Sequence, residues 1–316
     1  MAETDRNPFV AFGEEVLKAL YGTILILGMA LVASVKALLP CGVLPRKSVT
    51  GEVVLITGAG SGLGRLMALQ FAKLGARLVL WDVNQAGNEQ TAKMVKGVGG
   101  EVHSYTVDCS KRADIQSVAK QVKKEVGDVD ILINNAGIVT GKKFLECPDE
   151  LIERTMDVNV NAHFWTTKAF IGPMLERNHG HIVSIASMAG IVGIGTLTDY
   201  CASKFGAVGF SDSLTAELYM TGKTGVHVTT VCPTYIDTGM FNGAKTDSPN
   251  LLPLLKPEYV VDRIMEAILT NAPMLMLPRF AYFVAFFKGL LPVNAVMLLG
   301  DYFGCTKSME HFTGRR

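Results

Sequence analysis

The stretch Val53-Val54-Leu55-Ile56-Thr57-Gly58-Ala59-Gly60-Ser61-Gly62-Leu63-Gly64 decides the fold. Its first five residues are apolar or β-branched and have the length of a buried strand. The four glycines that follow let the backbone turn sharply and pass close to a bound phosphate. A helical stretch at 62–74 comes next, and its unpaired N–H groups and positive dipole end face the turn. Further along, strand-like runs at 77–81, 101–106, 129–133, 181–186, 226–231 and 273–277 alternate with helical stretches at 86–98, 111–126, 148–177, 199–221 and 257–270. That alternation predicts an α/β domain over 48–272, with a doubly wound, Rossmann-like parallel sheet covered on both faces. Ligands in such a sheet sit beyond the carboxyl ends of the strands, so the residues just after each strand carry the function.

The second strand ends at Asp82, 24 residues after Gly58. A carboxylate there accepts hydrogen bonds from the adenosine ribose hydroxyls and repels a 2′-phosphate, which favours NAD over NADP. Arg65 and Arg77 are the cations that speak against this, and each fits a solvated helix or strand start. Thr57, Gly58, Ser61, Gly62, Leu63 and Gly64 then form the phosphate turn. Asp108 and Cys109 follow the third strand, where the adenine amino group would lie, and Asn135, Ala136 and Gly137 follow the fourth, where small residues leave room for the cofactor.

Tyr200 and Lys204 stand four apart and share one face of the 199–221 helix. A free phenol has a pKa of about 10 and is a poor base; a neighbouring ammonium favours the phenolate. The pair Tyr219 and Lys223 has the same spacing, so spacing alone selects neither. Context does: Ser187, thirteen residues before Tyr200, ends the fifth strand, whereas the equivalent position before Tyr219 is Gly206.

Taken together, Thr57-Gly58 with its glycines, Asn134-Asn135-Ala136-Gly137, Ser187 and the Tyr200/Lys204 pair resemble the short-chain dehydrogenase/reductase superfamily, over about residues 51–240. The stretches starting at Leu145 and Ala162, and Asp237-Thr238-Gly239-Met240-Phe241, are similar to its membrane-bound retinol dehydrogenase branch, of the epidermal type. The resemblance implies a catalytic set of Asn159, Ser187, Tyr200 and Lys204, with Pro233 and Thr238 on the nicotinamide side and Tyr200 and Lys204 also touching the cofactor. It further implies all-trans-retinol as substrate, NAD as oxidant and residence on the endoplasmic reticulum or lipid droplets. One departure is Thr234, where the family often has glycine; its side chain would narrow the nicotinamide side of the pocket.

The two ends of the chain add a location. Hydrophobic residues make up 49% and charged residues 19%, and the excess gathers in the first and last 45 residues. The 20–39 run is apolar on every side and long enough to cross a bilayer, which leaves 1–19 as an amino-terminal tail. Lys36 near its end and Arg46 and Lys47 after it are basic while acidic residues precede the run, which turns the main domain toward the cytosol. The 273–316 extension mixes aromatic and aliphatic residues with Arg279 and Lys288, a pattern that suits the membrane interface and equally suits a core-covering helix. A net charge of +1 gives no basic field for nucleic acid, and the six widely spaced cysteines have no zinc spacing.

Met240 and Phe241 open a Gly- and Pro-broken segment, 240–257, rich in leucine, which reads as a lid over an apolar substrate. An apolar pocket at a membrane fits a lipid alcohol and does not separate a retinoid from a steroid. A hydroxysteroid dehydrogenase and a catalytically idle NAD-binding membrane protein remain open readings. The 148–177 and 199–221 helices are where this fold pairs, by analogy, as a homodimer or with a related dehydrogenase.

Overall fold

The computed structural model describes residues 8–38, 42–245, 248, 252–305, 308–309 and 311–314. Residues 1–7 of the tail, Leu39 at the end of the expected anchor and Leu251 of the expected lid lie outside them. The chain divides into two units, Met1–Arg46 and Lys47–Arg316.

Among the described residues, the first unit carries helix α1 (Pro8–Leu38). Its segment Phe9–Val32 has a mean hydropathy of 1.8, with none of the window buried. The helix therefore starts well before the expected Leu20. Pro8 suits a first helical turn, and Glu14, Glu15 and Lys18 are good helix formers that carry the apolar run backward.

The second unit is built on seven parallel strands: β1 (Val53–Thr57), β2 (Arg77–Asp82), β3 (Val102–Thr106), β4 (Ile131–Asn134), β5 (Gly180–Ile185), β6 (Val226–Pro233) and β7 (Met274–Leu277). Their order is β3-β2-β1-β4-β5-β6-β7, so the winding reverses between β1 and β4. Helices α2 (Gly62–Lys73), α3 (Gln85–Gly97), α4 (Arg112–Glu125), α5 (Asp149–Met156), α6 (Ala162–Arg177), α7 (Thr198–Met220) and α8 (Pro257–Leu269) connect them.

Strand side chains alternate with period two, so each strand feeds two core layers. Val54, Ile56, Leu78, Leu80, Ile131 and Ile133 meet Met67 and Phe71 of α2 and Ile264 of α8. Val53, Leu55, Val79, Trp81 and Leu132 meet Ile115 and Val122 of α4 and Phe170 of α6. Both faces of β1 and β4 are buried, which is why these strands read as continuous apolar runs.

Two differences from the sequence reading bear on the site. The 148–177 stretch is not one regular helix: a π turn, Asp157–Asn161, separates α5 from α6 and puts Asn159 inside the domain. Such a turn is costly, and it commonly marks a functional position. The domain also continues past 272, because β7 completes the sheet beside β6. Helices α9 (Phe280–Lys288) and α10 (Val293–Tyr302) then pack within the same unit.

Leu55 is fully buried at the centre of the sheet. Leu55→Ala should cost about 2–5 kcal/mol by cavity formation, read as a lower urea midpoint at unchanged slope for the full-length protein in detergent.

Candidate active site

The carboxyl ends of β1 and β4 diverge at the reversal point, and the sequence bridges the gap with side chains. The Thr57 hydroxyl accepts the backbone N–H groups of Asn135 and Ala136, both at 3.0 Å. The Asn135 amide in turn donates to the carbonyls of Thr57 at 2.8 Å and Gly58 at 3.1 Å. The glycine turn leaves no room for side chains: a Cβ on Gly64 would lie 2.2 Å from the Gly58 carbonyl oxygen, and one on Gly58 2.9 Å from Ala136 Cα. Thr57 and Gly64 thus stand behind the wall of the cleft and hold it, while Gly58, Ser61, Gly62 and Leu63 form it.

At the end of β2, Asp82 accepts the N–H of Gly60 and the N–H of Asn84, each at 2.8 Å. The carboxylate is fixed on the rim of the cleft. Arg65 is not the solvated residue the sequence suggested. Its guanidinium bonds the Gly60 carbonyl, Gln90 and Thr91 and reaches the Gly87 carbonyl, stapling the glycine turn to α3. Asp108 is also engaged: its Oδ1 accepts the Ser110 N–H and hydroxyl. Partial burial opposes ionisation of Asp108, but these bonds and the Lys111 charge outweigh it and hold its carboxyl below the usual range.

The cleft has a volume of about 290 Å³ and runs from the glycine turn past Asp82, Asp108, Cys109 and Asn135–Gly137 to Ser187, Tyr200 and Lys204. Pro233, Thr238, Met240 and Phe241 close that far end. Gly62, with positive φ, faces Thr238 across the cleft; a Cβ there would meet Thr238 at 3.5 Å. An extended polar trough with a bare-backbone turn at its helix end and a lysine at the other fits a dinucleotide.

Tyr200, Lys204 and Ser187 meet at this end. Lys204 Nζ donates to the Ile185 carbonyl at 2.8 Å and lies 5.7 Å from the centre of the Tyr200 ring. The Ser187 hydroxyl donates to the Pro233 carbonyl at 3.3 Å and accepts the Ala189 N–H at 3.1 Å. Burial pushes the Tyr200 phenol up, and the Ser187 hydroxyl works in the opposite sense. Burial also brings the Lys204 ammonium down to about 8. Asn159 is fully buried, and its amide spans to both backbone groups of Ile138: Oδ1 accepts the N–H at 2.8 Å and Nδ2 donates to the carbonyl at 2.9 Å. Nδ2 also donates to Ser203 on α7 at 3.0 Å. Tyr219, the rival tyrosine, is 87% exposed at the end of α7.

A second cavity, of about 340 Å³, shares Ser187, Tyr200, Thr234 and Phe241 with the cleft. Its remaining wall is almost entirely apolar and comes from Ile194, Leu197 and Tyr235 and, on α9 and α10, from residues such as Phe280, Phe287 and Val296. Of the two expected substrate residues, Phe241 lines both cavities and Met240 only the cleft. The Thr234 hydroxyl, on the shared wall, is buried with no hydrogen-bond partner among the described residues. Thr234 was legible as a departure from the family pattern; the α9 and α10 walls were not legible, because their residues carry no motif.

Comparisons place this geometry. The short chain dehydrogenase family profile matches residues 52–249. Human epidermal retinol dehydrogenase 2 is 54% identical over 285 residues, 90% of this chain and 91% of that protein. Retinol dehydrogenase 10 of Xenopus tropicalis is 49% identical, over 85% of this chain and 87% of that protein. A crystal structure of a short chain dehydrogenase/reductase from Burkholderia phymatum in complex with NAD matches with a TM-score of 0.70 at 26% identity, covering 80% of this chain and 96% of that one. With the matched span, the two cavities and the Ser187–Tyr200–Lys204 cluster in agreement, the chain belongs to the short chain dehydrogenase family and is an oxidoreductase.

Proposed function

We propose that this protein oxidises a lipophilic primary alcohol, retinol by the relatives' names and all-trans-retinol by the family resemblance, with NAD at a membrane surface. One observation carries the reading: Ser187 and Tyr200 lie on the wall shared by a polar trough and an apolar chamber. A lipid alcohol in the chamber would bring its hydroxyl to the same two side chains that border the nicotinamide end of the trough.

When bound, NAD supplies the acceptor for the hydride that leaves the carbinol carbon. The protein does the rest. Tyr200 takes the hydroxyl proton as general base, and Ser187 hydrogen-bonds the reacting oxygen. Burial by itself opposes the phenolate, so the base depends on nearby positive charge. Lys204 keeps its ammonium below about pH 8 and has donors left for the cofactor ribose after bonding Ile185. Asn159 acts by position: its amide fixes Ile138 at the end of β4 and Ser203 on α7, the helix that carries Tyr200 and Lys204.

The preference for NAD rests on Asp82 and Arg65 together. The carboxylate stands where a 2′-phosphate would need a cation, and the Arg65 guanidinium is committed to Gly60 and Thr91. For the membrane, α1 is the anchor, and Phe286 on α9, Leu290 in the turn after it and Leu298 on α10 are exposed for seating in the interface. Arg46 and Lys47 after the anchor orient the domain toward the cytosol, on endoplasmic reticulum or lipid droplets. A hydroxysteroid is the competing substrate, since an apolar chamber alone does not discriminate between the two.

Tyr200→Phe should abolish retinol oxidation while leaving NAD binding, measured by protein fluorescence quenching, within about twofold of wild type. Retained turnover would refute the assignment of the base. Asp82→Asn removes the charge and keeps a hydrogen-bonding oxygen, so the ratio of kcat/KM for NADP to that for NAD should rise by about tenfold or more. An unchanged ratio would take cofactor selection away from this carboxylate. Finally, full-length protein should stay in the membrane pellet after alkaline carbonate and leave it only with detergent; release by carbonate would remove the anchor role of α1.

A further inference from the structure

The described residues after α10 return across the face of the domain that holds Tyr200. Met309 is 5% exposed and packs with Leu197, Tyr200, Cys201 and Tyr235. Ser308 is buried and its hydroxyl donates to the Cys305 carbonyl at 2.7 Å. That fixes the direction of its second bond: the Tyr235 hydroxyl, 2.7 Å away, donates to Ser308. Two backbone bonds tie this strap to the segment after β6: Lys245 N–H to the Ser308 carbonyl at 3.0 Å, and Thr313 N–H to the Asn242 carbonyl at 2.9 Å.

Phe241 lies between the strap and the catalytic tyrosine. Its ring is edge-on to Tyr200, with centres 5.8 Å apart, and edge-on to Tyr235 at 5.3 Å. The Phe312 ring backs it at 6.5 Å. Phe312 is itself wedged against Gly141, where a Cβ would come within 2.2 Å of the ring. The contacts therefore run in the order Gly141, Phe312, Phe241, Tyr200.

The geometry points to Phe312, with the Tyr235–Ser308 hydrogen bond, as a positioning element that sets substrate selectivity by holding Phe241 against Tyr200. A primary carbinol carbon carries one carbon substituent and needs room on one side of the phenol. A secondary ring carbon carries two and needs room on both, and Phe241 fills the second side. With Phe312 in place the reacting end admits an alcohol delivered end-on from the apolar chamber. Without it Phe241 is free to swing outward, and bulkier ring alcohols fit. This rests on the reading of Tyr200 as the base that meets the substrate hydroxyl.

The test uses the full-length protein in detergent, with all-trans-retinol and a 3-hydroxysteroid as alternative substrates. The readouts are the ratio of their kcat/KM values with NAD and, separately, retinol binding followed by retinol fluorescence without turnover. Phe312→Ala should shift the ratio about tenfold toward the steroid, with Phe312→Leu between it and wild type. Phe241→Ala should give the same shift, and the double variant should add nothing, because Phe312 acts through Phe241. Gly141→Ala places a Cβ where the Phe312 ring now sits, so the ring must leave its seat behind Phe241, and the variant should reproduce the effect without altering either phenylalanine. Gly51→Ala, also at positive φ (+79) but in open space, carries the backbone strain and should leave the ratio alone. Additive shifts in the double variant, or an unchanged ratio in both Phe312→Ala and Gly141→Ala, would overturn the proposal. Wild-type silence with both alcohols would overturn the proposed function instead. The strap is then judged by retinol binding: non-additive weakening by Phe312→Ala and Phe241→Ala supports it, and additive or absent effects overturn it.

Discussion

Everything in the site depends on how the ends of β1 and β4 are held apart and yet tied. At the reversal of a doubly wound sheet, the loops after the two central strands leave in opposite directions, and a crevice opens between them. Backbone there has no neighbouring strand to pair with, and buried unpaired N–H and carbonyl groups are expensive. The Thr57 hydroxyl and the Asn135 amide take up that deficit, with two accepted and two donated bonds across the gap. The turn is thereby packed so closely that neither Gly58, pressed against Ala136, nor Gly64, pressed against the Gly58 carbonyl and the Asn135 amide, tolerates a Cβ. The crevice is open because its floor is overdetermined.

The chemistry inherits a tension from the same burial. Tyr200 and Lys204 are both buried, and burial penalises whichever form carries charge: it raises the phenol and lowers the ammonium. The proposed base therefore works against its own burial and needs positive charge beside the phenol. The same logic explains the company they keep. Asn159 holds Ile138 and Ser203, and Lys204 is tied to Ile185, so the two ionisable groups are positioned by neutral partners.

The sheet, the glycine turn and the meeting of Ser187, Tyr200 and Lys204 were legible because each rests on local signals. Most of the strands are short apolar runs, the turn is contiguous, and the tyrosine and lysine share one helix face. Asn159 was legible only through family resemblance: its place inside the domain comes from the π turn, which no periodicity reveals. Arg65 was misread as solvated because its partners, at Gly60 and at 87–91, are brought together only by packing of α2 against α3. Helix α1 begins before the expected anchor because Glu14, Glu15 and Lys18 interrupt the apolar run without interrupting the helix.

The apolar chamber was the least legible part, and the reason is physical. Hydrophobic side chains lining a cavity have the same identity as those filling a core; only the three-dimensional arrangement leaves space between them. Phe280, Phe287 and Val296 belong to a stretch that composition alone assigns equally to membrane or core. In the structure the stretch serves both sides of one wall, with Phe287 and Val296 turned to the chamber and Phe286 and Leu298 outward. A helix pair that must be apolar within and without cannot signal its inner role by amphipathic pattern. The sequence therefore shows a greasy tail, and the fold makes that tail a chamber wall whose reacting end is finished by Phe241 and the strap behind it.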